Sequence, residues 1–190
     1  MQHHSRFAAR CATLTLALAA PLLAGTALAA DDVRLGPATA TLPSGETLQL
    51  SVGGENFASL MLGGGLSFSW DPDVLDLASV QVDAATWEFA RDGGLLDAAA
   101  GTLTGMYFAS FNGHAGSFPI ATLRFVADQP GITTVAMSLF PSQPFANEMG
   151  EVVDVNLFGS RVTVTAVPEP GAWALLLAGL LALPRLSGRR

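Results

Sequence analysis

The middle of the chain consists of short segments in which apolar and polar residues alternate. In residues 47–52, Leu48, Leu50 and Val52 alternate with polar residues, and residues 60–70 repeat the pattern. A period of two is typical of strands that bury one face. Nine such segments predict nine strands, at 33–41, 47–52, 60–70, 74–82, 102–111, 118–127, 132–140, 151–157 and 161–165.

Residues that favour turns separate these segments. Asp71-Pro72-Asp73 and Asn112-Gly113 are two examples, and both residue combinations are common in tight turns. Many short strands at this spacing, with no convincing helical segment among them, indicate a sandwich or jelly roll. We therefore expect residues 31–166 to form an all-β domain of about nine strands.

The N-terminal end of the chain has the features of a secretory signal. Basic residues precede an apolar stretch at 12–23, which is too short to span a bilayer unaided. Ala27 and Ala29 supply the small residues that signal peptidase needs. We expect a signal-peptide helix over residues 1–30, cleaved after Ala29 or Ala30. The alternative, an uncleaved anchor helix, is disfavoured by the short apolar core and the small residues that follow it.

The last 24 residues, 167–190, combine a proline-rich entry, a short apolar run and a basic end. The entry is Val167, Pro168, Glu169 and Pro170. Its prolines end the preceding strand and favour an extended backbone. Trp173 suits the membrane–water interface, and arginines suit the cytoplasmic side of a membrane. The arginines are Arg185, Arg189 and Arg190. This order predicts a C-terminal transmembrane helix with the β domain outside.

The tail resembles the PEP-CTERM sorting signal of Gram-negative, exopolysaccharide-producing bacteria. In that family the tail is recognised by exosortase, a membrane-embedded cysteine transpeptidase. The resemblance implies that this chain is an exosortase substrate, with 167–170 as the processing motif and the three arginines as the membrane stop. It also implies an inner-membrane-anchored precursor that passes to the cell surface, outer envelope or extracellular matrix.

The length of the apolar run bears on this interpretation. The uncharged residues 171–184 number 14, which is short for a hydrocarbon core of ~30 Å. A weak anchor fits a transient sorting device. The alternative is a plain single-span anchor, which has no need of the Pro-Glu-Pro entry.

Charge and cysteine content exclude several functions. The whole chain has a net charge of −7, but residues 31–166 hold fifteen acidic residues and four arginines, a balance of −11. Because a domain this acidic repels phosphate backbones, we expect no nucleic-acid partner. The single cysteine, Cys11, lies in the segment expected to be removed. The mature form is therefore expected to lack thiol catalysis and cysteine-based metal sites.

Several segments of the middle domain together resemble a cohesin domain. They are the turn at 45–46 before the strand 48–52, the sequence Trp-Asp-Pro-Asp-Val-Leu at 70–75, and the strands 120–125 and 131–135. The resemblance implies a cohesin-like jelly-roll β-sandwich. Cohesins are related in fold to cellulose-binding modules, which by analogy favours binding over chemistry.

Four groups of residues are candidates for chemistry, and each also has a structural explanation. Asp71, Asp73 and Asp76 could hold Ca²⁺, but Asp followed by Pro is typical of a type I turn, and Ca²⁺ needs six to eight oxygens. The run Gly63-Gly64-Gly65 lacks the lysine of a phosphate loop and indicates a bulge or a flexible strand entry. We therefore expect no metal and no cofactor.

The other two groups concern catalysis. His114 is the base that a hydrolase triad would have to use, but it lies among glycines and no Gly-x-Ser-x-Gly motif is present. We interpret it as a solvated loop histidine. Asp92 and Asp97 could be glycosidase carboxylates, and we interpret them as solvated loop charges. No catalytic residue is predicted.

Trp87 and Tyr107 are the candidate ligand-facing residues, because exposed aromatic faces can stack on sugar rings. The alternation of Trp87 and Phe89 with Glu88 favours the other interpretation, in which both aromatic side chains lie in the core. Trp70 is expected in the core.

Taken together, the sequence predicts an exported, exosortase-processed, non-catalytic surface or matrix protein. It would act in adhesion or exopolysaccharide association through the cohesin-like domain, with a polysaccharide or a surface protein as ligand. Signal peptidase and exosortase would be its partners during export. The alternatives are a carbohydrate-binding module acting directly on a polysaccharide and a secreted hydrolase.

Overall fold

The computed structural model describes residues 31–167, and within this range the chain forms eleven strands and no helix. The strands are β1 Asp32–Gly36, β2 Thr39–Pro43, β3 Thr47–Ser69, β4 Leu75–Val82, β5 Ala90–Asp92, β6 Leu95–Asp97, β7 Thr102–Ala127, β8 Gly131–Leu139, β9 Ala146–Asn147, β10 Asn156–Phe158 and β11 Ser160–Thr165. The predicted signal peptide, and the predicted tail beyond Val167, lie outside the described residues. Residues 31–167 contribute no apolar helix of the length needed to cross a membrane.

Two long strands, β3 and β7, organise the fold. β3 has 23 residues and β7 has 26, and each covers two of the predicted strands. They pair antiparallel along their length, with register shifts between Val52 and Gly63. On one side of these shifts β3 pairs with residues 118–126, and on the other side with residues 102–109. The β3–β7 ladder therefore contributes to two layers.

All the remaining strands except β9 extend one of the two layers from this ladder, and β9 pairs with β3 at Met61 and Gly63. In the first layer, β10, β1, the start of β3, the end of β7 and β4 are neighbours in that order. In the second layer the order is β2, β11, β8, the end of β3, the start of β7 and then β5 and β6. The all-β sandwich predicted from the alternation is confirmed.

The core lies between the layers and is rich in aromatic rings. Leu48, Leu50 and Val52 are buried, as the alternation in β3 predicts. The largest fully buried side chains include Trp87 and Phe108, whose ring centroids are 4.5 Å apart. Fully burying a large apolar side chain contributes about 1.5–3 kcal/mol, so this cluster is a main source of stability.

Besides the predicted strands that merge into β3 and β7, two predicted segments are divided or shortened, and β5, β6 and β9 were not predicted. The segment 33–41 divides into β1 and β2 at Pro37, which has no N–H to give to a ladder. The segment 151–157 forms a strand only from Asn156 onward. Before that point its backbone bonds to residues 145–147 instead, with Val153 N donating to Phe145 O at 2.9 Å.

The run Gly63-Gly64-Gly65 lies inside β3 and is fully buried. A register shift between Met61 and Gly63 agrees with the predicted bulge. Close packing explains the glycines: a Cβ on Gly63 would overlap the Phe108 carbonyl oxygen, and one on Gly64 would lie 2.7 Å from Phe145 Cδ2. Side chains at these positions would separate β3 from its neighbours.

A buried carboxylate fixes the first strand. Asp32 is 7% exposed, and its oxygens accept hydrogen bonds from Asn156 Nδ2 at 3.1 Å and from an Arg34 guanidinium nitrogen at 2.7 Å. Arg34 also lies 3.0 Å from Glu55 Oε2 and over the Phe158 ring. The hydrogen bond from Asn156, followed by that from Arg34, lowers the pKa of Asp32 below its usual value of 3.8.

Gly63→Ala is expected to destabilise the protein by about 1–3 kcal/mol, the usual cost of overpacking, because the new Cβ meets backbone rather than a flexible side chain. The matched control is Gly53→Ala in the same strand, where the new Cβ has only an ordinary contact at 3.5 Å with Phe118 O. Urea unfolding of both variants measures the difference. Equal losses in the two variants would contradict the close-packing explanation.

Asp32→Asn is expected to lower Tm at pH 7, since the ionised carboxylate is the form that its partners favour. A lowered folded-state pKa contributes stability above pH 3.8, and this contribution is lost as the pH falls through the folded value. The Tm difference between wild type and variant should therefore shrink below pH 3.8. Thermal unfolding from pH 2 to 7 measures it, with Asp154→Asn as an exposed control. A difference that does not change with pH would exclude the proposed role of the charge.

Candidate functional site

The outer face of the second layer carries hydroxyl side chains and is where we place the candidate site. These residues alternate with buried core residues on β3, β7 and β8. We call the set the hydroxyl face. Its members are Ser67, Ser69, Thr102, Thr104, Thr134 and Ser138.

An open groove of about 520 Å³ lies beside the hydroxyl face. Tyr107, Phe140 and Leu95 supply its apolar surface, and we call it the Tyr107 groove. Its lining residues are Asp92, Gly94, Leu95, Thr104, Gly105, Tyr107, Phe140 and Gln143. This volume lies within the range of small-ligand pockets.

A β-bulge shapes the floor of the groove. Leu66 faces Met106 and Phe68 faces Leu103, so Thr104 and Gly105 both lie opposite Ser67. Gly105 has φ +77° and donates its N–H to Ser67 Oγ at 3.2 Å. A Cβ on Gly105 would lie 3.2 Å from the Phe140 ring. Only glycine therefore allows this ring to lie directly on the strand.

The turn between β5 and β6 forms one wall of the groove. Gly94 has φ +84°, and its N–H donates to Asp92 Oδ1 at 2.8 Å. This turn leaves Leu95 78% exposed at the edge of the groove. An exposed leucine side chain can make apolar contact with a ligand but carries no reactive group.

The structure places the two candidate ligand-facing residues, Tyr107 and Trp87, in different environments. Tyr107 is half-buried in the groove, with part of its ring accessible. Trp87 is 0% exposed, and its Nε1 donates to Pro119 O at 2.9 Å. The ligand-facing prediction for Trp87 is wrong, and the core alternative is correct.

Phe89 shows the opposite error, since it was expected in the core and is 58% exposed. Trp87 and Glu88 precede β5, which begins at Ala90. Because these residues are not in a strand, a period of two does not apply to them.

His114 belongs to a strand and not to a solvated loop. It is half-buried within β7, its Nε2 donates to the Thr86 carbonyl oxygen at 2.7 Å, and its ring lies edge-on to Trp87. The expected turn at Asn112-Gly113 is an irregularity inside β7, where Gly113 has φ +67°. The prediction of a solvated loop histidine is wrong, because His114 packs on the core.

Three of the acidic candidates accept hydrogen bonds within turns, and Asp76 lies in β4. Asp71 Oδ1 accepts the Asp73 N–H at 3.0 Å, which confirms the predicted turn. Asp92 and Asp97 each accept a backbone N–H two or three residues later, at 2.8 and 3.1 Å. Within residues 31–167 no group of three or more metal-ligating side chains occurs.

Sequence reasoning missed most of the groove. Phe140 and Gln143 follow β8, and nothing in their local sequence predicts that they fold back over Gly65 and Gly105. A signal was present for Leu95, because Leu95-Leu96 is an apolar pair in an otherwise polar, glycine-rich segment. Of the sorting motif, only Val167 is described, and it is exposed two residues after β11 ends.

No protein-family model matches the chain, and no curated protein matches it. Solved structures of cohesin domains do match. A non-cellulosomal cohesin from the archaeon Archaeoglobus fulgidus is 18% identical with a TM-score of 0.60, covering 77% of this chain and 97% of that one. The OlpA cohesin of Clostridium thermocellum, solved in complex with the dockerin Doc918, is 9% identical with a TM-score of 0.59, covering 72% and 100%.

A third match points to the same fold. The seventh ScaB type I cohesin of Pseudobacteroides cellulosolvens is 13% identical with a TM-score of 0.56, covering 74% of this chain and 96% of that one. At these identities the likeness establishes the fold alone. The predicted cohesin-like sandwich is confirmed.

Proposed function

We propose that this chain is an exported, non-catalytic binding protein whose cohesin-like domain holds a partner protein on the hydroxyl face and in the Tyr107 groove. The observation that carries the proposal is the groove itself, with its apolar surface beside an uncharged row of hydroxyls. Adhesion at the cell envelope is the role that follows.

The comparisons support a binding role for the whole domain. The alignments cover nearly all of each cohesin and most of this chain, so the likeness is not confined to one hairpin. The OlpA cohesin is solved with a dockerin bound. By analogy of fold, a protein is the first ligand class to test here.

The chemistry of the site supports the same conclusion. The six residues of the hydroxyl face are themselves uncharged, so covering them removes no ion from water, which is the costly part of burying polar surface. The nearest charges border this face, with Asp97 opposite Thr102 and Arg161 opposite Thr134. Strands β3, β7 and β8 hold the hydroxyls, and Phe140 is fixed because its N–H donates to Gly65 O at 3.0 Å. A rigid surface loses little entropy when it binds.

Export and sorting are the second part of the proposal. The N-terminal signal pattern, the Val167 to Pro170 motif and the terminal arginines support cleavage by signal peptidase and processing by exosortase. The precursor would be held in the inner membrane by its tail, and the processed domain would reach the surface or matrix. Strand β11 ends at Thr165, so the motif follows the folded domain directly.

The carbohydrate-binding and hydrolase alternatives each lose one candidate residue. Trp87 is buried and cannot stack on a sugar, and His114 donates its Nε2–H to a backbone carbonyl. Tyr107 is the remaining predicted ligand contact, and it belongs to the proposed protein-binding site.

Site-specific photo-crosslinking tests the binding face. Benzoylphenylalanine in place of Tyr107, in cells of the source bacterium, is expected to give one discrete protein adduct. The same residue in place of Gln81, exposed in the first layer, is expected to give none. Leu95→Arg should reduce the Tyr107 adduct at least ~10-fold, equivalent to about 1.4 kcal/mol. Equal labelling at both positions, or a yield insensitive to Leu95→Arg, would contradict the proposal.

Mass spectrometry of the envelope and medium fractions tests the sorting. The mature chain is expected to begin at residue 30 or 31 and to lack the residues after Pro170. Replacing Pro168, Glu169 and Pro170 together by alanine should leave the tail attached, whereas Thr165→Ala should not. Recovery of wild-type protein with residues 171–190 intact in both fractions would refute tail processing.

A further inference from the structure

An exposed aromatic pair lies at the corner where β7 leaves the second layer. Phe89 is 58% exposed and Phe111 is 71% exposed, yet their ring centroids are only 4.1 Å apart. Soluble domains commonly expose single apolar side chains, whereas clustered ones mark binding sites. The pair lies apart from the groove lining, and the proposed protein-binding function does not use it.

Backbone hydrogen bonds fix the aromatic pair. Phe89 N–H donates to Ala109 O at 3.1 Å, and Phe111 N–H donates to Glu88 Oε1 at 3.0 Å. Ser110 Oγ and Asn112 Nδ2 donate to the same carboxylate oxygen, at 3.0 and 3.3 Å. The backbone of both residues is thus held in place, so little conformational entropy is lost when a ligand binds to the rings.

Polar groups with free capacity lie beside the rings. The hydrogen bonds from Ser110, Phe111 and Asn112 all use Glu88 Oε1. Within residues 31–167 no other residue donates to Glu88 Oε2 or to Asn112 Oδ1. Hydrogen bonding by its own backbone N–H, and then by Ser110, lowers the pKa of Glu88 below 4.5, so it remains charged at neutral pH. The corner therefore offers apolar ring surface next to two hydrogen-bond acceptors.

We propose that Phe89, Phe111, Glu88 and Asn112 form a binding site for a ring of a neutral or amino sugar. A sugar ring presents C–H groups on one face and hydroxyls at its edge. The C–H face packs on the aromatic rings, and the edge donates O–H or N–H groups to Glu88 Oε2 and Asn112 Oδ1.

The negative charge of the domain determines which glycans can bind at this corner and disfavours other ligands. Glu88 and the −11 balance of residues 31–166 repel uronate and sulfated glycans. The same charge opposes a second copy of the chain and an anionic bilayer. A neutral glycan or a cationic amino glycan meets no such repulsion, and an amino group gains a charge-assisted bond to Glu88.

The site is a neighbour of the Tyr107 groove and not part of it. Tyr107, Ala109 and Phe111 alternate with buried Phe108 and Ser110, so they share the outer side of β7. Four residues at ~3.3 Å each separate Tyr107 from Phe111 by about 13 Å. A glycan at the corner and a protein in the groove can therefore be tested separately.

Isothermal titration of the full-length chain in mild detergent tests the proposal. The probes are cellohexaose, a glucosamine hexamer and a galacturonate hexamer. Binding is expected for at least one of the first two and not for the third. Phe111→Ala and the double change Phe89→Ala with Phe111→Ala should weaken it at least ~10-fold, because the stacking surface is lost. Phe111→Tyr, which keeps the ring, should bind like wild type.

Leu95→Ala is the matched control, since Leu95 is an exposed apolar residue of the Tyr107 groove. It should leave sugar binding unchanged. A failure of the photo-crosslinking experiment would overturn the protein-binding function without affecting this site.

Four outcomes overturn the proposal: no binding of cellohexaose or the glucosamine hexamer at millimolar concentration, tighter binding of the galacturonate hexamer, binding unaffected by both phenylalanine variants, or binding lost in Leu95→Ala. Dimerisation or adsorption to phosphatidylcholine vesicles that Phe111→Ala abolishes, without sugar binding, would assign the corner to a second copy or a membrane instead. Thermal unfolding of the variants, expected within a few degrees of wild type, separates loss of binding from loss of fold.

Discussion

The antiparallel pairing of β3 with β7 is the constraint on which the rest of the structure depends. One continuous ladder serves both layers, so its register fixes how the layers face each other and which side chains enter the core. The close approach at Gly63 holds the ladder together where it changes layer. Strands β1, β4, β8 and the short edge strands add to this ladder and depend on it.

The candidate binding features all lie where that ladder is irregular. One bulge in β7, at Thr104 and Gly105, allows Phe140 to pack against the strand and forms the groove. A second irregularity, around residues 110–113, exposes Phe111 and turns Ser110 toward Glu88. Bulges re-aim side chains at the cost of a few ladder hydrogen bonds. In this domain the regular parts of β3 and β7 supply stability and the irregular parts supply surface.

Sequence patterns predict the regular parts well. Alternation placed Leu48, Leu50 and Val52 in the core, because a strand that buries one face obeys a period of two. The same rule failed for Phe89, since the backbone between Trp87 and β5 is not extended as a strand. A different rule failed for His114: its glycine-rich segment is typical of a loop, but it pairs with β3 instead.

The groove was the least predictable feature. Tyr107 was identifiable as a candidate because exposed aromatic faces can stack on sugar rings, but its neighbours Leu95 and Phe140 are 45 residues apart in sequence. A bulge and two glycines bring these residues together. The sequence alone does not show which aromatic ring packs against a given glycine. Such contacts depend on tertiary packing, which local propensity does not encode.

The distribution of charge explains how so acidic a domain can still offer a binding surface. A balance of −11 over residues 31–166 keeps copies of the domain apart. The hydroxyl face carries none of that charge, and Asp92 at the groove is occupied by the Gly94 N–H. Long-range repulsion therefore acts between copies, while contact with the hydroxyl residues themselves buries no ion. A partner with neutral or basic groups at its rim avoids the repulsion, so the charge of the domain selects which molecules come close.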